Sequence, residues 1–322
     1  MNDAITDVAG VRVGHTTVRR DPDVRTGVTI VVPPELPLFA GAHRLNGNGE
    51  LTGLEWVRES GMLTTPIGLT NTHSVGVVRD AIVEIAIREG FAEDWALPVV
   101  GETWDGFLND INGMHVAREH VFAAFDSATG GPVEQGCVGS GTGMICHGFK
   151  GGIGTASRPA GGFTVGVLVQ ANHGRRARLV VDGVPVGTLI GPDEVPLPGG
   201  PDGAGSIIVV VATDAPLLPH QCEKLARRSA LGVGRTGGAG ENSSGDLMIC
   251  FATGNRGLGA TSGRVELQML PNDELDELFY ATIEATEAAI VNALLHAETT
   301  TGFAGRTAHA LPRDRFEALR SG

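Results

Sequence analysis

Cysteine and aromatic residues are scarce in this chain of 322 residues. Aromatic residues make up 5% of the sequence, and the four cysteines are Cys137, Cys146, Cys222 and Cys250. No two of them form a CxxC pair, so the sequence offers neither a disulfide framework nor the spacing of a zinc site. Cys222 and Cys250 lie in apolar segments, where a cysteine is expected to act as a small core residue.

The sequence also lacks long apolar runs and basic clusters. No apolar stretch approaches about 20 residues, so no membrane span is expected. The net charge is −13 and no basic block carries interleaved aromatic residues, which argues against nucleic acid as a partner. The first residues show no basic start followed by an apolar core. We therefore expect a cytoplasmic protein that binds neither nucleic acid nor membrane.

Glycine, by contrast, is abundant. The chain has 48 glycines and 17 prolines, with 42% hydrophobic and 19% charged residues. This composition is typical of a folded chain with an aliphatic core and many turns. Glycine at this density indicates close approaches between backbones and several glycine-lined loops.

Apolar runs and stretches of helical periodicity alternate along the chain. Strands are predicted at 5–13, 27–32, 163–171, 206–213 and 247–253, with short ones at 64–72 and 98–106. Helices are predicted at 51–60, 77–88, 115–128, 218–231 and 273–297. Polar or glycine-rich loops are predicted at 43–50 and 136–154, a hairpin at 178–189 and a long loop or linker at 191–205. We expect a layered α/β protein with a mixed sheet or two stacked sheets, not a barrel.

One common site signature is excluded by its context, and two others are absent from the sequence. Residues 232–237, Gly-Val-Gly-Arg-Thr-Gly, have the spacing of a dinucleotide fingerprint, but they follow a predicted helix where that motif needs a strand. No Walker phosphate loop or GxSxG elbow is present. The histidines show no metal-ligand spacing on one element, and each is expected to be structural, although a triad of distant residues stays open.

Polar side chains at predicted strand ends are candidates for substrate contacts. Glu102 is placed to hold a substrate ammonium, with Trp104 adding a cation–π contact. Asn172 is a candidate oxyanion donor. The structural alternatives are a solvated acid beside a packing tryptophan, and a polar turn residue.

The junction around Ser243 and Ser244 is the strongest candidate for catalysis. A glycine-rich polar loop there enters the apolar run 247–251. A peptide bond before serine can break when the hydroxyl attacks the preceding carbonyl, and the new N-terminal serine then carries a free amine. That amine, with a reference pKa of about 7.7–8.0, can serve as the base for its own hydroxyl. The alternative is an ordinary loop-to-strand turn.

Long stretches of the chain resemble the DmpA-like aminopeptidases, also called the P1 family, which includes β-peptidyl aminopeptidases. The stretches that carry the resemblance are ITDVAGVRVGH, TGVTIVV, NGELTGLEWV, TPIGLTNTHSVG, VVGETWDGFLNDING, GSGTGMICHGFKGGIGTASR, FTVGVLVQANHGRR, SIIVVVATDAPLLPHQ, ENSSGDLMICFATGN and LFYATIEATEAAIVNALL. The resemblance implies one domain, residues 1–322, that folds as an αββα four-layer sandwich. This fold resembles that of the N-terminal nucleophile hydrolases with DmpA-type connectivity.

The resemblance also implies that the chain cleaves itself into an α chain, 1–243, and a β chain, 244–322. The nucleophile maps onto Ser244, with Ser243 as the alternative. A supporting hydroxyl and glutamate map onto Thr282 and Glu284, and the oxyanion asparagine onto Asn172. Residues two apart do not share a helix face, so one of that helical pair is expected to contact the serine and the other to support it.

The family segment GETYDG is GETWDG here, so Trp104 lacks the phenolic hydroxyl. The resemblance as a whole implies a serine aminopeptidase for short peptides, amides or esters that needs no metal or cofactor. The resemblance further implies a homotetramer of αβ units. Two alternatives stay open: an amidase for ω-amino acid oligomers, and an uncleaved homologue that only binds ligands or assembles.

Overall fold

The computed structural model describes residues 1–92, 94–199, 205–260 and 262–321. Its strands are β1 Arg12–Arg20, β2 Val24–Val32, β3 Leu38–Gly47, β4 Met62–Leu63, β5 Ile67–Asn71, β6 Val99–Thr103, β7 Ile145–Cys146, β8 Phe149–Lys150, β9 Gly152–Ala160, β10 Phe163–Asn172, β11 Gly205–Thr213, β12 Ser244–Ala252, β13 Thr300–Thr301 and β14 Thr307–Ala308. Its helices are α1 Leu54–Ser60, α2 Val75–Arg88, α3 Arg118–Asp126, α4 Val186–Leu189, α5 Pro219–Arg235, α6 Asp276–Leu295 and α7 Arg313–Ser321.

A six-stranded mixed sheet forms the centre of the molecule, in the order β4-β3-β12-β11-β10-β9. Within it, β11 and β12 run parallel and the other neighbours run antiparallel. Alternate side chains of β11 point to opposite faces, as strand geometry requires. Val209 and Val211 join the core formed with helices α5 and α6, whereas Ile208 and Val210 join a second core on the other face. Both faces of this sheet are therefore covered.

The second core is shared with a four-stranded sheet in the order β1-β2-β5-β6. All nine residues of β2 are buried. Its Val31 faces the six-stranded sheet, while Ile30 and Val32 face helices α2 and α3. The layers are therefore helix, sheet, sheet and helix, which confirms the expected αββα sandwich.

Glycine allows the helices to lie directly on the sheets. A Cβ on Gly154 of β9 would lie 1.9 Å from the carbonyl oxygen of Ala289 in α6, and one on Gly41 of β3 would lie 2.3 Å from the Glu223 nitrogen in α5. No side chain fits at such distances. The expected close backbone approaches are thus confirmed at these helix–sheet contacts.

Most predicted elements are confirmed, with shifts of a few residues at their ends. The segment 5–13 was predicted wrongly as one strand, because residues Ile5–Asp7 form a 3₁₀ turn before β1. The hairpin at 178–189 is also wrong: a single bridge joins Val181 and Val184, and Val186–Leu189 is helical. Strands β3 and β9 were missed because their glycines and small residues carry little strand signal. The predicted linker 191–205 lies partly outside the described residues.

Among the described residues, the segment Asn272–Leu295 is long and apolar enough to span a membrane by length and composition alone. Of its most apolar window, 61% is buried inside the fold. Its inner face, including Leu278, Ala285 and Ile290, packs in the core beneath the six-stranded sheet. Core packing therefore accounts for the apolar character of this helix.

Candidate active site around Ser244

Ser244 is the first residue of β12, at one end of the six-stranded sheet. Ser244 is 2% exposed, whereas Ser243, directly before it, is exposed. Ser244 lies opposite Gly205 in the parallel register of β11 and β12, and the next residue, Gly245, donates its N–H to Ser206 Oγ at 3.0 Å. The peptide bond between the two serines therefore marks the passage from a solvent-facing loop into the sheet.

The Ser244 hydroxyl is bound by a carboxylate. Ser244 Oγ donates a hydrogen bond to Asp246 Oδ1 at 2.6 Å. Asp246 is 1% exposed, and burial raises its pKa to about 6, against the opposing effect of the Ser244 hydrogen bond. A carboxylate with a raised pKa is a stronger base than an ordinary aspartate, so this pair is suited to proton transfer from the hydroxyl.

The peptide bond before Ser244 is held at both of its polar atoms. The Ser243 carbonyl oxygen accepts a hydrogen bond from Asn48 Nδ2 at 2.7 Å. The Ser244 N–H donates to the Glu241 carbonyl oxygen at 2.7 Å. A side-chain amide aimed at a carbonyl oxygen polarises the carbonyl and can stabilise negative charge that develops there.

A cavity of about 590 Å³ opens beside this peptide bond. Its walls come from the end of β3 and the following loop, the ends of β6 and β11, and the loop before β12. The lining residues are Asn48, Gly49, Glu50, Thr72, Glu102, Trp104, Gly205, Ser206 and Ser243. Ser243, Glu102 and Trp104, all singled out from the sequence, thus share one cavity.

Glu102 supplies a buried carboxylate to this cavity. The residue is 4% exposed; Oε1 accepts from the Glu50 N–H at 2.9 Å, and Oε2 accepts from the Thr72 hydroxyl. Burial raises the pKa of Glu102, while these two hydrogen bonds lower it in part. A carboxylate in such a setting gains from a cationic partner, because a bound ammonium would offset its desolvation.

Asn172 lies at the end of β10, opposite Ser206 of β11 in the antiparallel register. Its Oδ1 accepts from the Ile145 N–H at 2.7 Å, and its Nδ2 donates to the Trp104 carbonyl at 2.9 Å. An amide nitrogen carries two N–H groups, so one donor remains for a further acceptor. Asn172 therefore holds the backbone of Trp104, a cavity residue that is 41% exposed.

The described contacts do not bring Thr282 or Glu284 to Ser244. The Thr282 hydroxyl is buried in α6 and donates to the Leu278 carbonyl at 2.7 Å. Glu284 is exposed and lines a separate cavity of about 390 Å³ with Arg158 and Arg235. The expectation that this helical pair orders the serine therefore stays a prediction.

Two residues at the site carry no role in the sequence-based hypothesis. Asp246 stands two residues after Ser244, and alternation along a strand is the signal that could have assigned it. Asn48 lies in a loop nearly 200 positions away from its partner Ser243. No local pattern connects them, so only the folded chain reveals that contact.

A strand-initiating serine beside a carboxylate, in an αββα sandwich, is the arrangement of N-terminal nucleophile hydrolases. The profile of peptidase family S58 matches residues 3–308. The chain belongs to this family and is a peptidase. The resemblance to the DmpA-like aminopeptidases is thereby confirmed.

Individual relatives agree with the family. The β-peptidyl aminopeptidase BapA of Sphingosinicella microcystinivorans is 46% identical over 346 aligned residues, which cover 99% of this chain and 87% of the relative. A β-aminopeptidase from Burkholderia sp. superposes with a TM-score of 0.92 at 50% identity, covering 100% of this chain and 94% of that chain.

A third relative is the L-aminopeptidase D-Ala-esterase/amidase of Ochrobactrum anthropi, described as a prototype of the serine aminopeptidases and a variant of the N-terminal nucleophile fold. It superposes with a TM-score of 0.90 at 41% identity, covering 99% of this chain and 94% of that chain. The similarity thus extends over the whole sandwich and both sides of the Ser243–Ser244 junction.

Proposed function

We propose that this peptidase is a self-cleaving serine aminopeptidase whose nucleophile is Ser244. The observation that carries the proposal is the setting of the Ser243–Ser244 peptide bond. Its carbonyl oxygen is bound by Asn48, its hydroxyl nucleophile is bound by Asp246, and Ser243 lines the same cavity as Glu102. In a self-cleaving precursor, the residue before the nucleophile occupies the place that the acyl part of a substrate takes later.

Self-cleavage begins with transfer of the Ser244 hydroxyl proton to the Asp246 carboxylate. Oγ bonds to the Ser243 carbonyl carbon, and the charge on the carbonyl oxygen is held by the Asn48 amide. The carbon–nitrogen bond then breaks, and the departing Ser244 nitrogen takes the proton from Asp246. Water hydrolyses the resulting ester and leaves a carboxylate on Ser243 and a free amine and hydroxyl on Ser244.

Turnover uses the new amine of Ser244 as the base for its own hydroxyl. The hydroxyl attacks the carbonyl of the first residue of a substrate, and its proton passes to the leaving amine. Water then hydrolyses the aminoacyl ester. The remaining N–H of Asn172 is a candidate second donor for the oxyanion, beside Asn48.

Glu102 is proposed to bind the ammonium group of the substrate. Its carboxylate is buried in the cavity and accepts hydrogen bonds from neutral donors, the Thr72 hydroxyl and the Glu50 amide. The charge of His73 lowers the pKa of Glu102 to a smaller extent than burial raises it, so a directly bound cation would compensate the carboxylate further. A free N-terminus would supply that positive charge, whereas an acylated one would not. This contact would make the enzyme an exopeptidase.

We infer that substrates with an N-terminal β-amino acid are preferred. Support comes from the relatives at 46% and 50% identity, which are named as a β-peptidyl aminopeptidase and a β-aminopeptidase. The additional backbone carbon of a β-amino acid lengthens the path from ammonium to carbonyl. The spacing between Glu102 and the mature Ser244 would select for that length.

The intact mass of the purified protein tests self-cleavage, because residues 1–243 and 244–322 should appear as two chains. A panel of p-nitroanilides that pairs α- and β-amino acids then tests specificity. One uncut chain without activity would contradict the proposal, and faster turnover of α-substrates would contradict the β-preference alone. Assembly into a homotetramer of αβ units and a cytoplasmic location stay predictions.

A further inference from the structure

Three buried metal-binding side chains converge beside the active-site cavity. Cys146, His147 and His173 offer ligand atoms that all lie within 4.8 Å of one another. His147 is fully buried, His173 is 3% exposed and Cys146 is fully buried. The sequence gives no ordinary metal spacing here, since Cys146 is the last residue of β7, His147 directly follows it, and His173 directly follows β10.

The two imidazoles have nitrogen atoms without partners. His147 Nδ1 lies 3.2 Å from the Arg175 carbonyl oxygen, and that contact requires Nδ1 to carry the proton. His147 Nε2 therefore presents a lone pair, and it is buried with no hydrogen-bond partner among the described residues. Histidines that bind metals usually donate the N–H of the non-binding ring nitrogen to a carbonyl or carboxylate, and His147 makes such a hydrogen bond.

Cys146 and His173 are the other two members of the cluster. The Cys146 sulfur lies 3.8 Å from His173 Nδ1, and His173 Nε2 is also buried without a partner among the described residues. Leaving two buried imidazole nitrogens unsatisfied is costly unless another group binds them.

Glycine shapes the pocket around the cluster. A Cβ on Gly174 would lie 2.3 Å from the His147 ring, and one on Gly238 would lie 3.1 Å from the His173 ring. Glu241 is close enough for its negative charge to raise the His147 pKa against the larger effect of burial. Its Oε1 is buried without a hydrogen bond and lies 3.9 Å from Arg175 Nε.

We propose that Cys146, His147 and His173 form a structural binding site for a divalent transition metal of the Zn²⁺ type. One sulfur and two imidazole nitrogens suit Zn²⁺, which binds such donors at about 2.0–2.3 Å in tetrahedral geometry. Ligand atoms of such a site lie roughly 3.5 Å apart, so the side chains close inward on binding. Water would take the fourth position. Binding displaces the Cys146 thiol proton, which leaves to solvent.

The metal would fasten β7 to the end of β10 next to the active site. Ile145, the neighbour of Cys146, donates its N–H to Asn172 Oδ1 at 2.7 Å, and Asn172 precedes His173. A metal bridge between the two segments would hold Asn172 against Trp104. None of the hydrolytic steps takes place at the metal, so the two proposals stand or fall separately.

Cobalt titration of the reduced full-length protein tests the site. After treatment with a chelator, Co²⁺ should bind in a 1:1 ratio with a thiolate-to-metal charge-transfer band and intense tetrahedral d–d bands. Zn²⁺ should abolish the colour by competition and raise Tm by mass action. Absence of a stoichiometric thiolate band in the wild-type protein would overturn the proposal, whatever the variants do.

Matched variants locate the site. Cys146→Ser should remove the charge-transfer band. His173→Gln should weaken Co²⁺ binding by more than about a hundred-fold, because losing a residue that only hydrogen-bonds to a metal ligand already costs 10–100-fold. Cys222→Ser and His15→Gln are the controls, because both residues lie outside the cluster: Cys222 is buried, and His15 is half-buried with a buried Nε2 that has no partner among the described residues. A band that survives Cys146→Ser in a folded variant, judged by circular dichroism, contradicts the assignment.

Discussion

Ser244 Oγ donates to Asp246 Oδ1 at 2.6 Å, across a single intervening residue of β12. Side chains two apart in a strand project to the same face, so the contact follows from strand geometry. Both residues are buried, which removes competing water from the hydroxyl. Before cleavage, Ser244 has no free amine, and this carboxylate is the base in contact with its hydroxyl.

Ser244→Ala should leave one uncut and inactive chain, since the acyl shift needs a hydroxyl at the scissile position. Ser243→Ala is the matched control, because Ser243 is proposed to contribute its backbone carbonyl, which Asn48 binds. That variant should still yield chains 1–243 and 244–322. Intact mass distinguishes the two results. Two normal fragments from Ser244→Ala would shift the nucleophile to Ser243.

Asp246→Asn should slow self-cleavage by about 10²–10⁴-fold, the usual contribution of a positioned general base. The amide oxygen can still accept the Ser244 hydrogen bond, so the geometry is retained while the base is lost. The rate is measured by following the precursor band over time after purification. Cleavage at the wild-type rate would mean that Asp246 only orients the hydroxyl.

Self-cleavage should depend on pH through Asp246, whose pKa is raised by burial to about 6. Below that pH the carboxyl group is protonated and cannot accept the hydroxyl proton, so the rate should fall about tenfold per pH unit. Above it, the rate should level off. Asp105 is the control, because burial also raises its pKa to about 6 but it bonds to Asn71 and Asn109. Asp105→Asn should keep the profile, and Asp246→Asn should lose it.

Asn48→Ala should slow self-cleavage by about a hundred-fold or more, the typical cost of removing one oxyanion donor. Asn46→Ala is a close comparison, since Asn46 Nδ2 donates to the Gly240 carbonyl at 3.3 Å and to the Glu241 carbonyl at 2.5 Å. It therefore holds the same loop at carbonyls other than that of Ser243. Precursor decay is again the measurement. Equal losses in both variants would assign Asn48 to loop positioning.

Glu102→Gln should lower kcat/KM for free-amine substrates by about ten- to a hundred-fold, because a charge-assisted hydrogen bond is worth roughly 1.5–3 kcal/mol. Self-cleavage should be largely unchanged, since the precursor presents no ammonium there. Glu50→Gln is the control: Glu50 lines the same cavity but is exposed, so screening by water limits its effect. Normal turnover by the Glu102 variant would make Glu102 a structural acid.

Local sequence was sufficient for most elements that build the sandwich. The apolar runs at 206–213 and 247–253 predict β11 and β12, and the periodicity at 218–231 and 273–297 predicts α5 and α6. Burial on both faces is visible in such continuous runs because no polar residue interrupts them. Position at a strand end was enough to propose Glu102 and the Ser243–Ser244 junction as candidate site residues, since strand ends carry polar side chains to a sheet edge.

The tertiary structure decided which of these side chains meet. Helical spacing in α6 does not say which residues that helix meets; in the folded chain the Thr282 hydroxyl bonds to the Leu278 carbonyl, and Glu284 lines a cavity with Arg158 and Arg235. Asn48 reaches Ser243, and Cys146 reaches His173, because the ends of β3, β7 and β10 lie close to the start of β12 in the folded chain. Hydrophobic periodicity specifies which face of an element is buried, but contacts between residues far apart in the chain depend on how the layers pack.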